Sequence, residues 1–365
     1  MKPLSGIRVV ELGEHVSAPF CGKLLADFGA EVVKVELPGR GDIARNYGPF
    51  PKDKPHPEKS GLFLLLNTNK KGITLNWKVE AGAEILRRLI QLSDVVVENF
   101  SPGTLENLGL GYEALKSLNP RVILTSISYF GGTGPYRGFR GADIVIQAMG
   151  GLMWLTGLPE RPPLKLPGPQ ADYQAGLFAA IATLAALILR EETGRGQHID
   201  ISEMEVVASL LEGALLSYAY SETIRKRRGA PPRARCRDDE LILPPELYQE
   251  DFGHLVSTLS PPELKEHAAK EVFHQAQEWR LPVAPVREVT DSLADPQLRS
   301  RGFWQEVEHL FMGRVTLPTS PFKVDQGWAE FGRAPLLGEH NEELYCGWLG
   351  YSKEELAELK AGGII

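Results

Sequence analysis

The chain has 365 residues, 43% of them hydrophobic and 24% charged, with 40 Lys and Arg against 47 Asp and Glu for a formal net charge of −7. That length favours two globular domains, and the acidic balance argues against a protein built to neutralise nucleic-acid phosphates, which needs a basic face. The opening MKPLSGIRVVEL lacks a charged segment followed by a long apolar run, and Cys21, Cys236 and Cys346 lie far apart; the expectation is a reduced, cytoplasmic protein with no signal peptide, no membrane association and no zinc or other metal.

Ile7 to Leu12 is an apolar run ending at Gly13, followed by the turn His15-Val16-Ser17-Ala18-Pro19 and a helical pattern through Cys21, Leu24, Leu25 and Phe28 that Gly29 stops. Glu31 to Glu36 is a second β-branched run. Strand, helix and strand in succession make a βαβ unit and predict a parallel sheet. Ligands of such sheets bind beyond the carboxyl ends of the strands, which points to the His15 turn and to the loop after Glu36. That loop, Pro38 to Arg45, is Gly-rich and carries Arg40 and Arg45; a solvated turn and an anion site fit it about equally. Phe50 to Ser60 has no periodicity and reads as a loop. Leu62 to Leu66 is a compact apolar run and Ile73 to Trp77 is strand-like, flanked by Lys70, Lys71 and Lys78, cations able to hold phosphate beside a strand end.

Ala81 to Leu92 places Ile85, Leu86, Leu89 and Ile90 on one helical face. Asp94 to Asn99 reads as a buried strand leading into Phe100-Ser101-Pro102-Gly103. A helix over Tyr112 to Leu118 and a strand over Arg121 to Tyr129 follow. The strand opens into Gly131-Gly132-Thr133-Gly134-Pro135, whose glycine spacing and Pro135 fail the dinucleotide fingerprint.

The stretch from Pro167 to Gln197 organises the rest. From Ala175 to Leu189 the only polar side chain is Thr183, so the helix is expected to be buried on every side. Those fifteen residues are too few for a bilayer span, which needs about 20. Asp172 stands where a loop stiffened by Pro167 and Pro169 meets this helix. An Asp at a helix start is a preferred N-cap. A carboxylate held ionised and aimed at the positive end of a helix also suits a nucleophile or base, and the two readings are compatible. A last strand, Gln197 to Ser202, completes a doubly wound α/β domain.

Composition shifts at residues 225–237, RKRRGAPPRARCR, where seven basic residues, two prolines and no aromatic read as a linker or basic hinge. A smaller unit follows: a short strand at Leu241 to Leu243, helices around Glu263 to Trp279, the Pro-punctuated Leu281 to Val286, and strands at Gly302 to Trp304 and Val315 to Pro318. In the tail, Ser352 and Glu355 match a capping box. The expected fold is α/β, with a doubly wound (Rossmann-like) parallel-sheet large domain over residues 1–215, completed by 326–365, and a smaller α+β domain over 225–325.

No H-E-x-x-H, P-loop, G-x-S-x-G or clustered Cys/His occurs, which sets aside zinc hydrolases, P-loop NTPases and serine hydrolases. What remains is one positioned carboxylate with basic and glycine-rich loops at strand ends. That suits a large anionic ligand and a carboxylate that attacks or takes a proton.

The order of motifs resembles the class III CoA-transferase family, which includes formyl-CoA transferase, carnitine CoA-transferase and α-methylacyl-CoA racemase. The resemblance is carried by PLSGIRVVEL, LLADFGAEVVKVE with PGRGD, NTNKKGITLNWK, DVVVENFSPG, LNPRVILTSISYFG with GPYRG, ADYQAGLFAAIATLAALILREETGRGQHIDIS, and PLLGEHNEE with LGYSKEELAEL. It implies that Asp172 is the nucleophile, attacking the thioester of an acyl-CoA to give an aspartyl anhydride and then an aspartyl-CoA thioester that an acceptor carboxylate resolves. It implies CoA contacts at His15, Val16, Leu75, Lys78, Asn99, Phe100 and Arg140. Coenzyme A or acyl-CoA is then a substrate, no cofactor is tightly bound, and the partners are acyl-CoA, a small carboxylic acid and a second copy of the chain in an interlocked homodimer.

Three departures from the family pattern stand out. The glycine-rich loop expected before CRDDE has only Gly229, Asn107 replaces a frequent arginine, and the small domain is short between Leu243 and Leu264. The histidine of the racemase branch falls on Ala142, which accepts no proton; acyl transfer is therefore favoured over a racemase or epimerase of 2-methylacyl-CoA, while the short small domain keeps a CoA-binding protein without turnover as an alternative.

Overall fold

The structure is a computed structural model and describes residues 2–227, 229, 233–242, 264–278, 280–323 and 331–365. The chain divides into two compact units, one of residues 2–152, 165–216 and 303–365, the other of 153–164 and 217–302.

The first unit is built on β1 (Arg8–Glu11), α1 (Ser17–Asp27), β2 (Glu31–Glu36), α2 (Gly61–Leu66), β3 (Lys71–Thr74), α3 (Glu80–Gln91), β4 (Val95–Glu98), α4 (Thr104–Asn107), α5 (Tyr112–Leu118) and β5 (Ile123–Ser128). It continues through α6 (Asp143–Met149), α7 (Leu152–Leu155), α8 (Gln170–Thr193), β6 (His198–Ser202), α9 (Glu203–Ser209) and α10 (Glu212–Ser221), whose ends pass into the second unit at Met153 and Ser217. Among the described residues the six strands form one sheet in the order β3-β2-β1-β4-β5-β6, and every pairing is parallel. This is the doubly wound order, whose switch point lies between β1 and β4.

Successive residues of a strand face opposite sides of the sheet, and the core divides accordingly. Val10, Val33, Val96 and Leu124 pack against Ile85, Leu86 and Leu89 of α3 and Leu115 of α5. Their neighbours Val9, Val32, Val95 and Ile123 pack against Leu24 and Leu25 of α1 and Ala175 and Ala179 of α8. Two-sided burial explains why these strands read as unbroken apolar runs. Helices α1 and α8 approach closely: a Cβ on Gly176 would stand 2.5 Å from the Ser17 carbonyl oxygen.

Helix α8 corrects two expectations. Its 24 residues make it long and apolar enough to cross a membrane, so length does not decide the matter. Nor is it buried on every side: Ala175, Ala179 and Thr183 face the core, whereas Ile181 is 56% and Ile188 69% exposed. The apolar stripe through Leu177, Ile181, Leu184 and Ile188 follows helical spacing along the outer face.

The antiparallel hairpin of β10 (Trp304–His309) and β11 (Gly313–Pro318), expected to close the smaller domain, falls within the first unit. Val307 and Leu317 pack on Ala44, Phe63 and Leu64. The tail covers the free edge of β3: Asn341 Oδ1 accepts the Thr74 N–H at 2.9 Å and Tyr345 Oη donates to the Thr74 carbonyl at 2.7 Å, which blunts an edge otherwise open to pairing. The capping box at Ser352 and Glu355 forms at the final helix, Lys353–Ala361.

In the second unit β7 (Arg233–Arg235), β8 (Glu240–Ile242) and β9 (Ala284–Pro285) make an antiparallel sheet. Leu241 packs with Val272 and Ala276 of the helix Ala269–Glu278. The basic stretch is therefore not simply a hinge. Residues 233–235 are a strand, and Arg227 donates to the carbonyls of Leu158 and Trp154. Residues 228 and 230–232, in the stretch before CRDDE where the family pattern places a glycine-rich loop, and 243–263, the short part of the expected small domain, lie outside the described residues.

Candidate active site

The carboxyl ends of β1 and β2 are locked by buried charge. Lys34, in the middle of EVVKVE, is fully buried and pairs with Glu11 at 3.0 Å and with Asp42. Burial opposes its charge, but Asp42, Glu11 and Glu36 outweigh it and hold the ammonium above the usual lysine range. Asp42 accepts the N–H of His15 at 2.9 Å. The turn after β1 is thereby fixed, with His15 at a φ of 69°, a left-handed conformation uncommon for a residue with a side chain and frequent at functional sites. Burial lowers the His15 pKa, so its imidazole is neutral near pH 7.

At the end of β4, Asn99 clamps the same turn. Its Oδ1 accepts the Glu14 N–H at 2.9 Å while its Nδ2 donates to the Glu14 carbonyl at 2.7 Å and to Ser17 Oγ at 3.1 Å. A cavity of about 360 Å³ opens over these strand ends, bounded by His15, Ser17, Asn99, Phe100, Asp172 and Glu203, with Arg137 and Arg140 also on its wall. Tyr129, after β5, stands against Gly141, where a Cβ would approach the ring to 2.4 Å. A second cavity of about 440 Å³ is lined by Glu14, Arg40, Trp77, Lys78 and Asn107. Phe100 lines both.

Asp172 is not the N-cap. Pro169 precedes α8 and Asp172 is its third residue; the cap comes from Asp143, whose Oδ1 accepts the Ala171 N–H at 2.9 Å. Lys165 holds the other Asp143 oxygen at 2.9 Å. Asp172 is therefore a first-turn carboxylate, 5% exposed. The helix dipole was expected to keep it ionised, but burial and the nearby Asp143 raise its pKa to about 7. Desolvation outweighs the dipole, which is worth about 0.3 to 1 kcal/mol at exposed sites.

Of the residues singled out from sequence, His15, Asn99, Phe100, Arg140 and Asp172 share the first cavity and Lys78 lies in the second. Val16 and Leu75 are fully buried. The other two lysines do not serve as anion sites. Lys70 is sealed against Glu11 at 2.7 Å and Lys71 bridges Glu31 and Glu343. Arg45 is 1% exposed, bound to Glu36 and Glu58, which leaves Arg40 as the open arginine of its loop. Sequence reading missed Ser17, Arg137, Asp143 and Glu203. In SEMEVV, Glu203 looks like an ordinary first-turn acid behind the Ser202 cap, and nothing local marks it as buried.

A doubly wound sheet with basic side chains and a buried carboxyl pair at its switch point is the frame of an α/β enzyme that takes a large anionic substrate. The chain belongs to CoA-transferase family III, which matches residues 4–243 and 261–341. It is 34% identical to a succinyl-CoA–D-citramalate CoA-transferase of Chloroflexus aurantiacus, over 100% of this chain and 98% of that one. It is 33% identical to a formyl-CoA:oxalate CoA-transferase of Streptomyces coelicolor, over 100% and 99%, and 31% identical to the human succinyl-CoA:glutarate CoA-transferase, over 100% and 90%. A CaiB/BaiF family protein from Brucella suis superposes with a TM-score of 0.83 at 31% identity, over 95% of this chain and 99% of that one.

Proposed function

We propose that this enzyme moves CoA between an acyl-CoA and a small carboxylic acid, with Asp172 as the nucleophile. The observation that carries the reading is a buried, nearly unpartnered carboxyl at the head of α8, set in a cavity whose wall carries Arg137 and Arg140.

An Asp172 oxygen attacks the thioester carbonyl carbon; the C–S bond breaks and CoA leaves as thiolate. The thiolate attacks the aspartyl carbonyl of the resulting anhydride and expels the first acid as its carboxylate. The acceptor carboxylate then attacks the aspartyl-CoA thioester and releases the thiolate once more. Attack of that thiolate on the new acyl carbonyl yields the second acyl-CoA and restores Asp172. No net proton is consumed; each anhydride is more reactive than the thioester it came from and is consumed by the thiolate just released, so the whole sequence trades one thioester for another of similar reactivity.

Lys78, Arg40 and Trp77 in the second cavity supply cations and an aromatic wall for the phosphates and adenine of CoA. Phe100 links the two cavities and His15, Asn99 and Arg140 flank the thioester end. Val16 and Leu75, sealed from solvent, act through backbone or packing. The exposed stripe of α8 supports self-association: a second copy covering Leu177, Ile181 and Ile188 would complete the burial that this helix lacks.

The test is incubation with succinyl-CoA, formyl-CoA and other acyl-CoAs alongside succinate, oxalate, glutarate and citramalate, with borohydride or hydroxylamine trapping and peptide mass spectrometry. The expected label sits on the Asp172 peptide and is absent from Asp172→Asn. Turnover that survives in Asp172→Asn, or a label elsewhere, overturns the mechanism. Exchange of an α-deuteron without transfer would favour an epimerase.

A further inference from the structure

The cavity holds two carboxyl groups in unequal settings. Glu203 opens α9, is 2% exposed, and lines the same space as Asp172. Its Oε2 is fully buried and has no hydrogen-bond partner among the described residues. Ser17, whose hydroxyl accepts from Asn99 Nδ2 at 3.1 Å, lines the same space and favours the ionised form of the Glu203 carboxyl. No salt bridge reaches Asp172 or Glu203 among the described residues. The ammonium that faces Asp172, Lys165, is engaged by Asp143 at 2.9 Å and by the carbonyls of Leu166 and Gly168 at 2.8 and 2.7 Å.

A buried carboxylate oxygen with no donor is costly in its ionised form, whereas the same oxygen carrying a proton is neutral and becomes a donor itself. Two carboxyls in one desolvated space do not both ionise readily. We propose that Glu203 is a positioning residue that works as a neutral carboxylic acid: it keeps the proton of the pair and donates it as a hydrogen bond into the cavity, leaving Asp172 the ionised nucleophile. The inference rests on the assignment of Asp172 as nucleophile.

The surroundings agree. Burial, then the Asp172 charge, raises the Glu203 pKa to about 8, above the value of about 7 at Asp172. Asp143 pushes both upward, Lys165 draws Asp172 down, and Ser17 draws Glu203 down. Burial, Asp172 and Glu203 hold the Tyr129 phenol neutral, at about 12, and Tyr173 is raised as well. The two carboxyls titrate as a pair, so activity follows their joint protonation. With two protons there is no nucleophile. With none, a second negative charge confronts the oxyanion forming on the thioester carbonyl.

The experiment is exchange of labelled succinate into succinyl-CoA, or the first pair in the panel that turns over, followed from about pH 5.5 to 9.5. Wild-type kcat/KM is expected to be bell-shaped. Glu203→Gln, neutral at every pH, should lose the alkaline limb and leave the acidic limb nearly in place, because Gln matches the neutral acid beside which Asp172 ionises, while kcat at the wild-type optimum falls less than about tenfold. A wild-type profile that rises to a plateau past pH 9, or a Gln variant that keeps the full bell, overturns the proposal. A second measurement needs no turnover: at pH 7 the infrared band of protonated carboxyls should be weaker in Glu203→Gln than in wild type. A wild-type band that Glu203→Gln leaves intact sinks the idea. Asp172→Asn reports on the nucleophile separately, since loss of exchange there is expected whatever Glu203 does.

Discussion

Asp143 accepts the backbone N–H of Ala171 at 2.9 Å while its second oxygen holds Lys165 at 2.9 Å. A carboxylate brought from α6 thus caps α8 and spares the Asp172 side chain that task. Asp143 also lends negative charge to Asp172, second only to burial in raising its pKa. Two substitutions separate these roles. Asp143→Asn keeps a capping acceptor but removes the charge, so the acidic limb of kcat/KM should move to lower pH with little change in thermal stability. Asp143→Ala should shift the limb and also cost about 1 kcal/mol of stability for the lost cap. An unmoved limb in Asp143→Asn would remove Asp143 from the electrostatics of the site.

Lys70 and Lys78 are close in sequence and opposite in setting. Lys78 is exposed in the second cavity, and Lys78→Ala should raise KM for acyl-CoA about tenfold, the loss of one charge-assisted contact, without altering the melting curve. Lys70 is sealed against Glu11. Its removal takes one of two cations from the buried Glu11 carboxylate, which Lys34 still meets at 3.0 Å, and should cost about 3 kcal/mol of stability, with KM unchanged in whatever protein folds. Steady-state kinetics beside calorimetry distinguish the two.

Ile181 is 56% exposed on the apolar stripe of α8. If a second copy covers that stripe, Ile181→Glu should lower the mass measured by light scattering from dimer to monomer, because a charge buried without a partner disfavours association. An unchanged mass would place the contact between copies elsewhere.

Much of the sheet is legible in the sequence because its signals are local. The βαβ opening, the apolar strands at 31–36 and 94–99, the helix at 112–118 and the C-terminal capping box depend on neighbours within a few residues. Strand ends then locate the ligand side of a parallel sheet and mark the His15 turn, whereas Asn99 and Phe100 are singled out through the family resemblance. Asp172 is conspicuous because it heads an apolar helix, though its position in the first turn is not.

The sequence by itself determined the strand and helix order, the strand ends that carry the cavity and the family to which the chain belongs, since each is written in contiguous residues. Tertiary structure alone decided which charges are available. Lys70 and Arg45 look as free as Lys78 until Glu11, Glu36 and Glu58 fold against them, and Glu203 looks like a surface acid until α9 docks beside Asp172. Burial and ion pairing are set by residues distant along the chain, and the energy of a charge depends on what surrounds it rather than on what precedes it.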